Sequence, residues 1–163
     1  MSTKEIRPDD LVFLCDTREQ LPYCFAPIKQ ETATLTTADY SVKGLEHLVA
    51  VERKSLNDFL GSIGNNRKAF MAEMQRIKAY PYRALVIEAN WDELEAGNYN
   101  RSRMDPESVT GTVVGLMMAG IPVALAGTRE AGQKMVARML FCAARRRWEE
   151  ALSLLPTLRI DRK

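Results

Sequence analysis

Four short apolar runs decide what this chain can fold into: "LVFLC" in 10–16, "LVAV" in 47–54, "ALVI" in 82–89 and "IPVALA" in 121–127. Each has the length of a strand and is too short for an independent helix. Beyond Lys54 the intervening segments change period. Leu56, Phe59, Leu60 and Ile63 recur at i, i+3, i+4 and i+7, so a helix is predicted there, with Ser55 as its N-cap. "GNN" at 64–66 breaks it, and Phe70, Met74 and Ile77 mark a second helix ending near Pro81. Pro106, after Asp105, opens a third that runs to about Gly120. A long amphipathic helix carrying Met135, Met139, Leu140 and Trp148 is predicted from about Arg129 to Leu155. Strands alternating with helices predict an α/β fold, a central mixed β-sheet flanked by α-helices.

The first part of the chain holds more turns. "TREQLPYCFAP" reads as a loop around Pro22 and Pro27. "ETATLTTADYSV" is rich in threonine and reads as strand with a turn around Ala38. "DYSV" is expected to pair with "HLVAVERK" across a hairpin with Gly44 in its turn, which leaves His47 at a strand edge.

Composition excludes several kinds of function. With 163 residues, 46% hydrophobic and 27% charged, the chain has the make-up of one soluble domain. A catalytic core is expected over about 10–127, then a basic helix and tail over about 129–163. No run approaches the roughly 18 apolar residues of a membrane helix. "MSTKEIRPDD" lacks the apolar stretch of a signal peptide, so a cytoplasmic location without membrane contact is expected. One histidine and three cysteines rule out a zinc finger, a disulfide framework and any two-histidine mechanism. No serine motif accompanies His47, and Cys15 reads as a small buried residue. "GTREAGQK" at 127–134 departs from a phosphate loop: Gln133 separates Gly132 from Lys134, and Met135 stands where a Mg²⁺-binding hydroxyl belongs. No ATP site is therefore expected.

The net charge is only +2, but its distribution is uneven. Lys134, Arg138, Arg145, Arg146, Arg147, Arg159, Arg162 and Lys163 face only Glu149, Glu150 and Asp161 in the C-terminal stretch. Such a stretch suits a polyanion such as nucleic acid, and equally suits a solvated helix face.

One strand end carries the candidate chemistry. "VAVERKSLNDF" at 49–59 sets three charges directly after an apolar run. Either the strand reaches the surface there, or its end is a metal-dependent site. Alternation puts Glu52 and Lys54 on one face and Arg53 on the other. A carboxylate beside an ammonium can hold a hard cation and offset developing negative charge. Asp39 would approach Glu52 across the hairpin ladder, and Asp16, ending the first strand, offers a third carboxylate. Three such groups repel one another unless a cation joins them.

These residues fall into ordered motifs. "DTREQLP" (16–22), "ADYSV" (38–42), "VERKSLNDFLGSI" (51–63) and then Arg67 strongly resemble the nuclease domain of the XPF/Mus/Hef family of structure-specific DNA endonucleases. That family's signature is D-x-R-E, G-D-Y and E-R-K-x-x-x-D in this order, and the likeness is concentrated in residues 11–68. The resemblance implies a restriction-endonuclease-like fold and a Mg²⁺- or Mn²⁺-dependent endonuclease acting on branched or single-strand/double-strand junction DNA. It implies that Asp16, Asp39 and Glu52 hold the metal and that Lys54 lies next to the metal-bound water and the phosphate. Arg18, Glu19, Arg53 and Asp58 would be supporting charges at the site. Asp58 also stands where it can cap the helix after Ser55, Arg53 could be a surface ion pair, and Arg18 with Glu19 a loop ion pair. Arg67 and Lys68, with Arg145, Arg146 and Arg147, would meet the DNA backbone. A homodimer is expected, with the Met-rich last helix offering an apolar face.

Two departures from the family stand out. Ala38 replaces the glycine of G-D-Y, which costs activity where that position needs positive φ. With the sequence reaching Lys163, a bare nuclease domain without the helix-hairpin-helix module of many relatives is expected, as in small bacterial, phage or plasmid proteins. A different class of function, a non-catalytic DNA-binding or scaffolding subunit, is kept as the alternative. Such partners usually lack the acidic residues that are present here.

Overall fold

The computed structural model describes residues 5–100 and 102–154. Among these residues six strands form one mixed sheet: β1 (Val12–Asp16), β2 (Lys29–Ala33), β3 (Tyr40–Val42), β4 (Val49–Ser55), β5 (Tyr82–Glu88) and β6 (Val123–Leu125). Their spatial order is β2-β1-β3-β4-β5-β6. β1, β3 and β4 run antiparallel to their neighbours in that series, whereas β4, β5 and β6 are mutually parallel. β2 joins β1 in parallel at the other edge. Among the described residues five α-helices flank it: α1 (Leu56–Ile63), α2 (Arg67–Ile77), α3 (Trp91–Ala96), α4 (Pro106–Met118) and α5 (Arg129–Leu154). None of the described helices is long and apolar enough to cross a membrane.

The sheet buries both faces, and the alternation within β4 shows how. Ala50 packs with Phe59, Leu60, Phe70 and Met74 of α1 and α2, in a cluster that extends to Val109, Val113 and Leu116 of α4. Val49 and Val51 point the other way, toward Val136, Leu140, Ala143 and Ala144 of α5. Fully burying each large apolar side chain contributes about 1.5–3 kcal/mol. This parity fixes everything after it in the strand. Glu52 and Lys54 continue on the α1/α2 side, and Arg53 on the α5 side.

Several helix starts follow their local chemistry. Ser55 caps α1 by accepting from the Asp58 N–H at 3.2 Å. Asp105 accepts from the Ser108 N–H at 3.0 Å, with Pro106 in the first turn of α4. α3 was not foreseen from the apolar periodicity, being too short to show one. Its signal is a capping box, in which Asn90 and Glu93 each accept the other's backbone N–H. Two strands are less buried than their apolar runs suggest. β6 is only half-buried, because it is an edge that pairs with β5 alone. β2 is the opposite edge and carries exposed Lys29 and Glu31. His47 is exposed in the turn before β4, and Cys15 is buried in β1.

Candidate active site

The hairpin delivers the first convergence. Gly44, at φ 86°, lies in the turn, and the ladder pairs Tyr40 with Val51, which sets Asp39 beside Glu52. Ala38 has φ 65°, a left-handed conformation that turns the chain into β3. The Asp39 N–H then reaches the Val51 carbonyl at 3.2 Å, and its carbonyl accepts from the Asp16 N–H at 2.8 Å. The Asp39 carboxylate accepts from the Arg53 N–H at 2.8 Å.

Glu52 is 2% exposed and pairs one oxygen, Oε1, with Lys54 Nζ at 2.7 Å. Its other oxygen, Oε2, is buried without a hydrogen-bond partner. Burial, then the charges of Asp39 and Glu73, push the Glu52 carboxyl up to about 8, with Lys54 opposing. Burial also raises Asp39, to about 6, with Glu19 and Glu73 adding and the Arg53 N–H and Lys54 opposing. Burial works against the Lys54 ammonium, but Glu52, Glu73 and Asp39 outweigh it and hold it charged. A buried acid, Glu52, with one oxygen unsatisfied, a half-buried acid, Asp39, and the Lys54 cation form a donor set that fits a hard divalent ion.

Asp16 is committed elsewhere. Its Oδ1 accepts from the Arg18 backbone N–H at 2.9 Å and from Arg18 Nε at 2.5 Å, and its Oδ2 from the Leu35 N–H at 2.7 Å. Burial raises this carboxyl, yet the bonds from Arg18 and Leu35 hold it below the usual range. Both oxygens of Asp16, the third acid expected at the metal, are thus engaged within its own loop. Among the described residues no group of three or more histidine, cysteine or acidic side chains is placed to hold a metal ion.

Behind β4 lies a second charged layer that the sequence did not announce. Arg53 sends Nε and Nη2 to the two oxygens of Glu88, at 2.9 and 2.7 Å. The Tyr23 hydroxyl donates to the same Glu88 at 2.6 Å. Arg129, at the start of α5, lies 5.0 Å from the Tyr23 ring centre and donates to the Leu21 and Pro22 carbonyls at 2.8 and 3.0 Å. Glu19 approaches Arg53 at 3.8 Å. Arg53 is thus a buried buttress, not a surface ion pair, and deleting either partner would strand a charge at a cost of roughly 3–5 kcal/mol. Gly132 makes room for it: a Cβ there would lie 2.4 Å from the Tyr23 hydroxyl. No local motif marks Glu88, Tyr23, Arg129 or Gly132.

An open cleft of about 380 Å³ joins the two layers, with Arg18, Glu19, Asp39, Arg53, Lys54 and Asp58 among its walls. Asp58 faces this cleft, and its carboxylate accepts from the hydroxyl of the capping Ser55 at 2.5 Å. The expected DNA contacts lie apart. Arg67 turns to Thr112 of α4 at 3.2 Å and lines a separate groove, and Lys68 is exposed on α2. Arg145, Arg146 and Arg147 are exposed on α5, across the sheet from Glu52 and Lys54. Arg145 pairs with Glu149 at 3.6 Å, and Arg147 pairs with Glu150. Arg159, Arg162 and Lys163 lie outside the described residues.

The model of the ERCC4 domain matches residues 9–139. Among solved structures, XPF from Aeropyrum pernix superposes with a TM-score of 0.62 at 17% identity, over 81% of this chain and 61% of that one. The same protein in complex with DNA gives 0.58 at 19% identity, over 80% of this chain and 62% of that one. This chain thus spans about three fifths of those chains, and at such identity the likeness shows the fold alone. No curated protein sequence matches. The domain match takes in both charged layers, from Asp16 to Gly132, and on it the chain belongs to the ERCC4-domain family of DNA endonucleases.

Proposed function

We propose that the cleft is the active site of a divalent-metal-dependent endonuclease that hydrolyses DNA phosphodiester bonds. One observation carries the reading: a buried carboxylate, Glu52, with one oxygen on Lys54 and the other unpartnered, beside Asp39. Asp39 and Glu52 would hold Mg²⁺ or Mn²⁺, which when bound polarises the phosphodiester and lowers the pKa of water. Lys54 offsets the charge that builds on the phosphate oxygens, from a position fixed by Glu52. Asp16 serves by shaping the loop and presenting Arg18 at the cleft wall. Arg18, Arg67, Lys68 and the α5 arginines supply backbone contacts that weaken with salt. The junction substrate rests on the family resemblance alone.

A homodimer is part of the proposal, but its face moves. Met135 and Met139 of α5 are half-buried, whereas Val114, Met117 and Met118 of α4 are 46%, 52% and 83% exposed. Those α4 side chains offer the apolar surface.

The test uses labelled flap, fork, single-stranded and duplex DNA with Mg²⁺, Mn²⁺ or EDTA. Cutting is expected with metal and is lost in EDTA, in Asp39→Ala and in Glu52→Ala. Cutting that survives both substitutions removes the site. Tight DNA binding without cutting on any substrate turns the reading to the scaffolding alternative.

A further inference from the structure

The cleft walls are charged or polar except at one point. Leu21 lines the cleft beside Arg18, Glu19 and Gln20, and among the described residues it is the one apolar side chain that does so. It is 65% exposed. The other exposed large apolar side chains among the described residues belong to α3, α4 and α5, none of which lines this cleft. The backbone under Leu21 is held from several directions. Its N–H donates to Glu19 Oε1 at 2.8 Å, and its carbonyl accepts from Arg129 Nη2 at 2.8 Å. The Pro22 carbonyl accepts from the same Nη2 at 3.0 Å, and the Tyr23 N–H donates to the Tyr40 hydroxyl at 2.8 Å. The Pro22 ring fixes its own φ and narrows the conformations open to Leu21. A lone leucine on an open surface is ordinary. Here the loop is clamped so that the leucine stays uncovered among charges, beside the groups proposed to cut DNA.

We propose that Leu21 is a specificity-determining residue that packs against the face of an unstacked base next to the scissile phosphate. A leucine cannot pair with phosphate, and the apolar surfaces of DNA are its base faces and sugar edges. In continuous duplex each base face is covered by its neighbours. Base faces are open in single strands and where strands part, and apolar side chains are known to enter between base steps and unstack them. Leu21 therefore favours DNA whose bases are open at the cleft, whereas Arg18 and Lys54 meet phosphates whatever the sequence or pairing. The clamped loop spares the ordering cost that a mobile one incurs on binding. This inference rests on the DNA-endonuclease reading of the cleft.

The experiment compares wild type, Leu21→Ala and Leu21→Phe on a fork and on a matched continuous duplex, in EDTA at low salt so that binding is read without cutting. Each DNA carries 2-aminopurine in place of the paired base beside the fork, or at the same position of the duplex. Wild type is expected to prefer the fork and to raise the 2-aminopurine fluorescence there. Leu21→Ala is expected to lower the fork-over-duplex affinity ratio by about 10-fold. It should also abolish the fluorescence rise and leave the salt dependence unchanged, because the phosphate contacts are intact. Leu21→Phe should keep both the preference and the rise. All three should melt at the same temperature, since the side chain is exposed. An unchanged ratio, an equal loss on both DNAs or a rise that persists in Leu21→Ala overturns the role of Leu21. So does a large drop in melting temperature in both variants, which would make the residue a packing element. If cutting is nevertheless lost in Asp39→Ala and Glu52→Ala, the endonuclease reading stands. Cutting that survives those two substitutions, or wild type that binds neither DNA, overturns both.

Discussion

Ala38 occupies a backbone conformation that suits glycine, with φ 65°, yet its methyl is buried against the α1/α2 core. Three terms decide what Ala38→Gly does. Relief of the left-handed strain returns about 1–2 kcal/mol. A more flexible unfolded chain costs about 0.4–1 kcal/mol, and the lost methyl about 0.8 kcal/mol. They nearly cancel, so urea unfolding is expected to shift by less than about 1 kcal/mol, with cleavage retained. A loss of several kcal/mol would show that the methyl, and not the turn, is what the position needs. The two front-side acids give a second residue-scale expectation. Burial raises Asp39 from 3.8 to about 6 and Glu52 from 4.5 to about 8, so the folded state holds their protons more tightly than the unfolded state. Stability of the metal-free protein must then fall as pH rises through roughly 4 to 8. Asp16 and Glu88 are lowered and act in the opposite sense, their contribution being lost only as pH falls below the ordinary carboxyl range. Denaturation in EDTA is expected to show weakening from pH 5.5 to 8.5. Saturating Mg²⁺ should abolish that decline, since it binds the ionised pair. A flat profile in EDTA would mean the acids are not forced together.

At the scale of elements, β4 is a partition. Its α1/α2 side carries Glu52 and Lys54, and its α5 side carries Arg53 bound to Glu88 of β5. The N-terminal turn of α5 ties in through Arg129 and through the space left at Gly132. Gly132→Ala would drive the Tyr23 hydroxyl off Glu88 and is expected to cost about 1–3 kcal/mol, as overpacking does. Tyr23→Phe removes the atom nearest the new methyl, and the ring carbon behind it is 3.4 Å away, an ordinary contact. The Tyr23→Phe/Gly132→Ala pair should therefore cost less than the sum of the two single changes, by roughly 1 kcal/mol. A double-mutant cycle in urea measures this. Strict additivity would place the damage at Gly132 elsewhere than in the buttress.

The whole molecule separates its surfaces. The charged cleft lies at the strand ends, the arginines of α5 lie across the sheet, and exposed apolar side chains gather on α4. A Val114→Asp/Met118→Asp variant is expected to sediment as a smaller species than wild type while keeping its fold. Wild type that sediments as a monomer would remove the dimer. The sequence by itself determined the sheet flanked by helices and the meeting of Asp39, Glu52 and Lys54. The reason is local. Alternation along a strand fixes which side chains share a face, and a hairpin fixes the register of its two strands. Only the tertiary structure decided that Asp16 organises a loop and that Glu88, Tyr23, Arg129 and Gly132 support Arg53. Those residues come from segments with no shared period or motif. What brings them together is the burial of two sheet faces, which no local pattern encodes.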